Sequence, residues 1–521
     1  MSATRVRKPA GSVALVGAGT GDPGLLAVRA TELIRSADLL VADRRCGPAV
    51  LELAGPGTEV VVTEPGDLQG AALVAAAKDG RAVVRLLPGD PFVADEGAKE
   101  AEAVLKAKQR LEVVPGIPHA VAVPAYAGVA VGLPRTVARI TDTTDWRSLA
   151  GAPGVLVLLG TVADIGKAAT SLVEHGRKAE TPIAITVGGT TAQQQTVVTT
   201  LNAADAGVRG LSGAGDAGDA GDDAVAVVGD PVKKADKLSW FETRPLYGWK
   251  VLVPRTRDQA GALSAQLRGF GAVPVEVPTI AVEPPRTPAP MDRAVKGIGD
   301  GRYMWVAFTS TNAVKAVREK LEESGLDARI FSGVKVAAVG DATAQALLDF
   351  GIRPDLVPSG EQSSEGLVAD WAPYDETFDP IDRVFLPRAD IATDTLVAGL
   401  KDLGWQVDDV TAYRTVRAAP PPAEIREALK GGGFDAVLFT SSSTVRNLVG
   451  IAGKPHDTTV LACIGPATKA AAEELGLRVD VLAPKPDVAT LVESLAEFAA
   501  ARRAEGDGPP SAARKKKAAK R

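Results

Sequence analysis

The residues of this 521-residue chain that could do chemistry are hydroxyls at strand-to-helix turns. Four such turns lie in the C-terminal half: Thr309-Ser310, Gly340-Asp-Ala-Thr343, Thr440-Ser441 and Gly465-Pro-Ala-Thr468. A hydroxyl at such a turn can cap the helix, whose first backbone N–H groups can bind an anion. One cap usually serves only its helix, but four of them make a ligand rich in carboxylates credible.

Cations that could assist are also present in this half: Arg255, Arg257, Lys315, Arg388, Arg414 and Arg446. Most arginines are simply solvated surface, so they count only where they lie near the hydroxyl turns. No nucleophile–base pair, metal cluster or phosphate-binding loop is visible here. We therefore expect chemistry that shapes a substrate and stabilises developing charge.

The hydroxyl turns come in two copies about 131 residues apart. Each copy is an apolar strand, a Thr-Ser turn, a helix, a second apolar strand and a Gly-x-Ala-Thr helix start. The repeat predicts two similar α/β lobes with a ligand cleft between them. Because it occupies only the C-terminal half, the chain should hold at least two different folds.

Glycine turns dominate the N-terminal half. Gly17-Ala-Gly-Thr-Gly-Asp-Pro-Gly follows an apolar strand, and Asp43 ends the next one. A dinucleotide fingerprint would need glycine where Asp22 stands, which disfavours an NAD-dependent oxidoreductase. Further turns at Gly89-Asp90 and Pro115-Gly116 favour a cleft in which backbone groups approach a small polar ligand.

Composition limits the remaining possibilities. Hydrophobic residues make up 45% of the chain and charged residues 24%, which is typical of folded domains, three or four at this length. Two cysteines, Cys46 and Cys463, and three histidines, His119, His175 and His456, exclude a disulfide framework and make a metal site unlikely. No apolar leader or membrane span is visible, so we expect a soluble cytoplasmic protein.

Charge is uneven along the chain. The tail after Phe498 carries eight basic and two acidic residues, or +6, and the formal total of −5 leaves −11 for the rest. We expect residues 1–11 and 499–521 to be disordered. The tail could touch nucleic acid, but a solvated tail is the more common case, and an acidic body is a poor nucleic-acid platform.

Strand and helix patterns alternate, which is typical of α/β folds with a mostly parallel sheet. A helix is predicted over Leu25–Ser36, and a flexible low-complexity loop over residues 207–223. A domain seam is expected at Trp240–Gly248. The predicted strands are Ser12–Gly17, Asp38–Ala42, Val60–Thr63, Ala82–Leu86, Val155–Leu159, Pro182–Val187, Ala224–Val228 and Trp249–Val253.

Residues 12–242 resemble the tetrapyrrole methylases, and among them uroporphyrinogen-III C-methyltransferase. The motifs that carry the resemblance are Val16-Gly-Ala-Gly-Thr-Gly-Asp-Pro, Asp43-Arg44, Arg85 through Gly89-Asp90-Pro-Phe-Val93, Val114-Pro-Gly-Ile, and Thr181-Pro-Ile-Ala with Gly189-Thr-Thr. The resemblance implies a two-lobed α/β fold, usually dimeric, that binds S-adenosylmethionine. It assigns cofactor binding to Gly17, Gly19, Thr20, Gly89, Asp90, Val93, Leu159 and Gly189, and catalysis to Asp43.

Several positions depart from the family pattern. Thr20 and Pro118 replace the residues expected in two turns, Pro88 replaces a glycine, and Leu159 replaces a methionine. Glu64 stands where a lysine that works with Asp43 is expected, and losing a cation should weaken proton removal. A methylase half that keeps only a non-catalytic role therefore remains an alternative. His119 could replace an acid or base, but a structural hydrogen-bonding role is more common.

Residues 243–498 resemble uroporphyrinogen-III synthase. The matching pieces are Val253-Pro-Arg-Thr-Arg, Phe308-Thr-Ser-Thr-Asn-Ala-Val, Val339-Gly-Asp-Ala-Thr, Leu386-Pro-Arg-Ala, Tyr413-Arg-Thr, Phe439-Thr-Ser-Ser-Ser-Thr-Val and Ile464-Gly-Pro-Ala-Thr. The resemblance implies two α/β lobes joined by a hinge. Lobe one would be about 248–280 plus 417–498, and lobe two about 281–416.

That family closes hydroxymethylbilane into uroporphyrinogen III with inversion of ring D and without a cofactor. The resemblance makes Tyr413 the candidate that assists departure of the hydroxyl group; a purely packing role is the alternative. Substrate binding would fall to Arg255, Thr309, Ser310, Thr343, Arg388, Thr440, Ser441 and Thr468. We therefore predict a fused synthase and methyltransferase acting on tetrapyrroles, with a homodimer possible through the methylase half. A two-lobed binding protein is the non-enzymatic alternative.

Overall fold

The computed structural model describes residues 11–93, 95–211, 224–255 and 257–510. Contacts divide the chain into two compact units. Unit one contains the chain up to Lys250 together with Gln266–Val273 and Ala496–Pro509. Unit two contains Val251–Ala265 and Pro274–Leu495. Each unit is built on two five-stranded sheets.

The first sheet of unit one is entirely parallel, with strand order β3-β2-β4-β1-β5. Its strands are β1 (Ser12–Gly17), β2 (Leu39–Asp43), β3 (Glu59–Thr63), β4 (Ala82–Leu87) and β5 (Arg110–Val114). The central strands are buried along nearly their whole length, as expected for a parallel sheet covered on both faces. Because the strands are parallel, the turns that follow β1, β2, β4 and β5 lie at one edge of the sheet.

The second sheet of unit one is mixed, with strand order β6-β7-β10-β8-β9. Its strands are β6 (Arg135–Arg139), β7 (Val155–Gly160), β8 (Pro182–Val187), β9 (Gln195–Thr200) and β10 (Ala224–Val228). The β6–β7 pair is the only parallel pair among the neighbouring strands that the structure describes here, since β10 is antiparallel to both β7 and β8, and β9 is antiparallel to β8. The expectation of a mostly parallel sheet is therefore correct for the first sheet and wrong for the second.

The helices of this half are mostly short. They are α1 (Val28–Ser36), α2 (Pro48–Leu51), α3 (Gly70–Lys78), α4 (Asp95–Lys106), α5 (His119–Tyr126), α6 (Trp146–Gly151), α7 (Val162–Glu174), α8 (Ala204–Leu211) and α9 (Ala235–Leu238). The predicted helix start at Leu25 is wrong, because Asp22 accepts a hydrogen bond from Gly24 N and closes a separate turn there. Leu26 then adopts an extended conformation, and the α-helix begins at Val28.

The expected flexible loop over residues 207–223 and the expected disordered tail from residue 499 are each partly helical. Residues 207–211 complete α8 because Val208 and Leu211 are buried in the core of the second sheet; the remainder of the predicted loop, residues 212–223, lies outside the described residues. Helix α19 (Val488–Ala504) continues into the expected tail. Ala499 is buried, and Arg503 donates a hydrogen bond to the Glu242 carbonyl oxygen, so the chain is packed there. The expected disorder of residues 1–10 and 511–521 also concerns positions outside the described residues.

The C-terminal half contains β11 to β20 in two sheets. The strands are β11 (Lys250–Val253), β12 (Val273–Glu276), β13 (Ile280–Glu283), β14 (Trp305–Phe308), β15 (Lys335–Ala338), β16 (Arg383–Ala389), β17 (Gln406–Arg417), β18 (Ala436–Phe439), β19 (Val460–Cys463) and β20 (Val481–Leu482). The third sheet has the order β12-β11-β18-β19-β20, and the fourth has the order β13-β17-β16-β14-β15. The two copies of the sequence repeat lie in different sheets, with β14 and β15 in the fourth and β18 and β19 in the third.

Helices follow the strands of both sheets. They are α10 (Arg257–Gly269), α11 (Ala289–Gly299), α12 (Thr311–Glu323), α13 (Asp341–Asp349), α14 (Ser364–Asp370), α15 (Thr395–Asp402), α16 (Ala423–Gly431), α17 (Ser442–Ala452) and α18 (Pro466–Glu474), before α19. The 12-residue strand β17 pairs parallel with β16 and antiparallel with β13. Strand β13, where the chain enters the fourth sheet, is therefore paired with β17, where the chain leaves it.

Within the described part of the chain, no helix combines the length and apolar character needed to cross a bilayer. The same residues contain no group of three or more His, Cys, Asp or Glu side chains placed to hold a metal ion. Cys46 and Cys463 are both free and buried. Burial raises the pKa of each thiol to about 12, so neither is a thiolate at neutral pH.

Candidate functional site

Three glycine turns meet at the carboxyl edge of the first sheet. Gly17, Gly89 and Gly116 end or follow β1, β4 and β5. A Cβ atom on Gly17 would lie 2.5 Å from both Gly116 N and Gly89 O, and one on Gly116 would lie 2.1 Å from Gly89 O. The backbones approach so closely that only glycine fits, which is why the motifs require it.

Backbone hydrogen bonds join two of these turns. Gly19 N donates to Gly89 O at 3.1 Å and Gly89 N donates to Gly19 O at 2.7 Å. Asp90 is fixed by two further N–H groups, from Phe92 at 2.8 Å and from Gly116 at 3.2 Å. The structure thus brings Gly17, Gly19, Gly89 and Asp90 together, as predicted, around one anchored carboxylate. Val93, expected to contact the same ligand, is 69% exposed beside them.

A hydroxyl pair links the two sheets of unit one. Thr20 Oγ1 lies 2.5 Å from Thr190 Oγ1, although the residues are 170 positions apart. Thr190 has a φ of 67°, an unusual value for a β-branched residue, and its N–H donates to the buried Gln194 side chain at 2.8 Å. Thr20, a departure from the family pattern, therefore has a specific structural partner.

Gly189 and Leu159 lie near the same place. A Cβ on Gly189 would lie 2.5 Å from a methyl group of Val123, so this turn packs closely on α5. Leu159 of β7 packs against the apolar cluster that contains Val123 and Ala120. Pro118 immediately precedes α5, and His119 is the helix's first residue. Gly189 and Leu159 of the second sheet therefore lie near α5, and the Cβ position of Gly89 in the first sheet's turn lies 3.5 Å from Nδ1 of His119, the first residue of that helix.

Asp43 is 1% exposed and is held by Arg45. Its Oδ1 accepts hydrogen bonds from Arg45 N and Nε, both at 2.9 Å, and its Oδ2 accepts one from Nη2 at 2.7 Å. Burial opposes ionisation, but the Arg45 hydrogen bonds outweigh it, so the pKa of Asp43 lies below its ordinary value. An ionised carboxylate enclosed in this way is a poor proton acceptor.

The cation expected near Asp43 comes from its own turn. Arg45 was not among the predicted site residues, although the Arg44-Arg45 doublet directly after Asp43 was a visible signal. Glu64, which stands in place of the expected lysine, is paired with Arg44 at 2.9 Å. Glutamate in place of lysine changes the charge at position 64 by −2, and the Arg44-Arg45 doublet supplies +2.

A buried ion pair supports this edge of the sheet. Arg85 of β4 and Glu100 of α4 are 1% and 0% exposed, with Nε and Oε2 3.0 Å apart. Arg85 also donates to Thr63 Oγ1 at 2.9 Å, and Glu100 accepts a hydrogen bond from Gln69 N at 2.7 Å. The pair fixes the connection between β3 and α3, which contains Glu64.

In unit two, Tyr413 of β17 contacts Ser310, which follows β14. The Tyr413 hydroxyl lies 3.0 Å from Ser310 Oγ, which also accepts a hydrogen bond from Ala313 N at 3.1 Å. Ser310 is thus the N-cap of α12, as predicted, and Tyr413 is its neighbour on β17. Tyr413 is 7% exposed, yet it lines a cavity.

That cavity has a volume of about 700 Å³. Its wall is formed by β13 and the prolines after it, by Met291 of α11, by one face of α12, and by Ala412 and Tyr413 of β17. Apolar side chains and a few polar groups share the lining, which is typical of sites for organic ligands. Asn312 and Lys315 lie on the α12 face; Lys315 was predicted from the sequence as an available cation, whereas Asn312 was not among the predicted binding residues.

The four predicted helix starts are of two kinds. Ser310 and Ser441 are hydroxyl N-caps, and Ser441 Oγ accepts from Thr444 N at 3.3 Å. At α13 and α18 the N-cap is instead glycine, Gly340 and Gly465, with no side-chain cap. The idea of four hydroxyl caps is wrong for these two, because Thr343 and Thr468 lie inside the first turn and are buried. Thr309 and Thr440 precede the serine caps and are half-buried.

Several predicted cations already have protein partners. Arg388 donates to Asp409, to Asp394 Oδ1 at 3.0 Å and to the Thr393 carbonyl at 2.6 Å. These hydrogen bonds already engage the Arg388 guanidinium, and its predicted role in substrate binding stays a prediction. Arg414 is paired with Glu283 at 2.7 Å and Arg446 with Glu474 at 3.2 Å. Arg255 is half-buried, and burial lowers the pKa of its guanidinium.

Comparison with known proteins separates the same two halves. A family model described as "Tetrapyrrole (Corrin/Porphyrin) Methylases" matches residues 12–205, and one described as "Uroporphyrinogen-III synthase HemD" matches residues 261–493. "Porphyrin biosynthesis protein HemD" of Ruminiclostridium josui is 28% identical over 513 residues, covering 94% of this chain and 98% of the relative.

Two further relatives, both methyltransferases by name, match smaller shares of this chain. "S-adenosyl-L-methionine-dependent uroporphyrinogen III methyltransferase" of Methanosarcina barkeri is 38% identical, over 37% of this chain and 83% of the relative. "Uroporphyrinogen-III C-methyltransferase" of Bacillus subtilis is 30% identical, over 68% of this chain and 74% of the relative.

Proposed function

The chain belongs to the tetrapyrrole methylases through its N-terminal half and to the uroporphyrinogen-III synthases through its C-terminal half, and we propose that it catalyses two consecutive reactions. The first closes hydroxymethylbilane to uroporphyrinogen III with inversion of ring D. The second methylates uroporphyrinogen III on two ring carbons, toward precorrin-2. The relative from R. josui that matches almost end to end supports two activities in one chain.

The Tyr413–Ser310 contact at the cavity carries the proposal for the synthase. Ser310 orients the Tyr413 hydroxyl, which hydrogen-bonds the departing hydroxyl group of the substrate while its C–O bond breaks. The hydroxyl group takes up a proton from Tyr413, directly or through a water molecule, and leaves as water. The remaining azafulvene cation is attacked through the substituted carbon of ring D to give a spiro intermediate, and the proton released when the pyrrole ring is restored returns to Tyr413. The helix starts at Thr309, Ser310, Thr343, Thr440, Ser441 and Thr468 would hold the propionate and acetate groups. No cofactor is required for this sequence of steps.

The residues at the carboxyl edge of the first sheet are suited to bind S-adenosylmethionine. The glycine turns leave backbone close to a ligand, and Asp90 offers a fixed carboxylate to a ligand that carries positive charge. Gly17, Gly19, Thr20, Gly89, Asp90, Val93, Leu159 and Gly189 would hold the cofactor, which supplies the methyl group when bound. The protein's contribution is to place the acceptor carbon and exclude water.

The hydrogen bonds of Asp43 change the role that we propose for this residue. Because Arg45 occupies both of its oxygens, we assign Asp43 the task of orienting Arg45, and not of taking a proton. The Arg45 guanidinium, 29% exposed, then provides positive charge at the edge of the sheet where an acidic substrate would lie.

Two assays test the dual function. The purified chain should convert hydroxymethylbilane to the type III isomer without added cofactor. Formation of the type I isomer alone would refute the proposed synthase activity. Labelled methyl groups should pass from S-adenosylmethionine to supplied uroporphyrinogen III. If no label is found in the tetrapyrrole, the methylase half is a non-catalytic domain. That is the alternative raised by the departures of this half from the family pattern. The comparisons give no support to a two-lobed binding protein.

We also propose a homodimer formed through the methylase half. The edge strand β3 supports this, because Val60, Val61 and Val62 are 42%, 39% and 53% exposed in succession. Replacing Val61 with lysine should convert the dimer to a monomer by light scattering. The matched control is Val198→Lys on β9, an edge strand of the second sheet whose Val198 is 43% exposed. A monomeric wild-type chain would refute the proposal.

For location we propose the cytoplasm, supported by two buried free thiols and no disulfide among the described residues. Cell fractionation tests it, and recovery from a secreted or envelope fraction would contradict it. Tetrapyrroles are the proposed ligands, and nucleic acid is not a proposed partner.

A further inference from the structure

The cavity beside Tyr413 continues along one face of α12. Thr311, Lys315, Glu319 and Glu323 line it at intervals of four residues, so they form a single row on the helix. The opposite face, with Val314, Val317 and Leu321, is buried in the core. Thr311 directly follows Ser310, the partner of Tyr413, so the row begins at the catalytic end of the cavity.

Charge along this row is not uniform. With a rise of about 1.5 Å per residue, Lys315 lies about 6 Å along the helix from Thr311, and Glu319 about 12 Å. The first charge met from the Tyr413 end is therefore positive, and the acidic residues lie further away. A carboxylate near Tyr413 would be attracted by Lys315 before it met Glu319.

Lys315 also differs from the other cations around the cavity. Lys320 is paired with Asp292 at 2.6 Å and with Glu323 at 3.0 Å, and Arg414 is paired with Glu283 at 2.7 Å. No carboxylate among the described residues pairs with Lys315, which is exposed and lines the cavity. It is the cavity cation that has its charge available for a ligand.

We propose that Lys315 binds one propionate or acetate carboxylate of the linear tetrapyrrole and so positions the reacting ring beside Tyr413. The proposal rests on the proposed synthase function and adds a binding residue to it. The ammonium group would form a charge-assisted hydrogen bond, while Asn312 and the apolar wall from Ile280 to Met291 contact the ring. Lys315 takes no part in bond breaking.

Steady-state kinetics with hydroxymethylbilane test this assignment. Lys315→Met should raise KM about tenfold, the loss expected for one charge-assisted hydrogen bond, with kcat within about twofold of wild type. Lys315→Arg should keep KM within about threefold, because it retains the charge. The matched control is Lys320→Met, which removes a cation from the same cavity wall but should leave KM unchanged, since that cation is already neutralised.

Salt provides a second readout. The KM ratio of Lys315→Met to wild type should shrink as ionic strength rises, because screening weakens the wild-type interaction. An unchanged KM in Lys315→Met, or an equal rise in Lys320→Met, overturns the assignment while leaving the synthase function standing. A wild-type chain that produces no type III isomer overturns both. Thermal unfolding of each variant separates a KM change from a loss of folded protein.

Discussion

At the scale of single residues, the proposed cyclisation depends on the contact between the hydroxyl groups of Ser310 and Tyr413. Ser310 serves two purposes, since its Oγ accepts the Ala313 N–H and also contacts the Tyr413 hydroxyl. A helix cap is a rigid support, so the tyrosine is held by a group that cannot easily move. That arrangement favours a directing role for Tyr413 over simple packing.

Tyr413→Phe should lower kcat for cyclisation by about 100-fold, the low end of the range for losing general-acid catalysis. Ser310→Ala should have a smaller effect in the same direction. Quenched reactions with separation of the uroporphyrinogen isomers measure both. The control is Tyr303→Phe, which removes a buried hydroxyl that donates to Asp408 at 2.8 Å and should cost stability without changing kcat. An unchanged kcat in Tyr413→Phe would assign Tyr413 a packing role.

Asp43 contributes stability through its ionised form. Its pKa is lower in the folded protein than in the unfolded chain, because the Arg45 hydrogen bonds outweigh burial. A carboxylate with a depressed folded-state pKa stabilises the protein above its unfolded pKa, near 3.9, and this stability is lost as the pH falls through the folded value.

Asp43→Asn should therefore reduce the free energy of unfolding by roughly 1–3 kcal/mol at pH 7. The difference from wild type should diminish as the pH is lowered below about 4. Urea unfolding at a series of pH values measures it, with the exposed Asp236→Asn as control. A difference that stays constant down to pH 3 would show that the Arg45 contacts do not hold the carboxylate ionised.

At the scale of elements, the direction of the strands in the first sheet determines where the turns of the proposed methylase site lie. The turns after β1, β4 and β5 meet only because the first sheet is parallel, and their glycines are in direct backbone contact. The buried Arg85–Glu100 pair then ties β4 to α4 beneath them. The glycines are therefore required by the packing of the turns as well as by any ligand.

Gly17→Ala should destabilise unit one and prevent S-adenosylmethionine from binding. The new Cβ would lie 2.5 Å from two backbone atoms, and overpacking of this kind typically costs about 1–3 kcal/mol. Gly151→Ala is the control, because no atom lies within 4 Å of its Cβ position. Calorimetric titration with the cofactor measures the loss. Equal affinities for the two variants would contradict the proposed role of the turn.

At the scale of the whole molecule, the proposed sites of the two activities lie in separate units. The proposed methylase residues belong to unit one and the Tyr413–Ser310 contact to unit two, and each unit has its own buried sheets. Local changes in one unit should therefore leave the chemistry of the other intact.

We expect Tyr413→Phe to methylate supplied uroporphyrinogen III at the wild-type rate, and Gly17→Ala to close hydroxymethylbilane at the wild-type rate. A mixture of the two variants should convert hydroxymethylbilane and S-adenosylmethionine to the methylated product, as the wild-type chain does. Single-turnover assays of each step provide the measurement. Loss of both activities in either variant would show that the units do not function independently.

The sequence by itself determined what depends on neighbours along the chain. Buried β-strands, glycine turns and serine caps follow from local hydropathy and turn chemistry, so the repeat, the Ser310 and Ser441 caps and the α/β class were all predictable. The helix start near residue 25 and the helix end after residue 499 were less predictable. The conformations of Leu26 and Ala499 depend on contacts that the local hydropathy pattern does not contain.

Only the tertiary structure decided which charges remain available. Arg388 is engaged by Asp409 because β16 and β17 pair in one particular register, and Thr20 meets Thr190 although 170 residues separate them. Asp43 is enclosed by its own Arg45, whereas Lys315 faces a cavity and pairs with no carboxylate in the part of the chain that the structure describes. Ion pairs and cross-sheet hydrogen bonds depend on strand register and packing, which no local pattern of residues specifies.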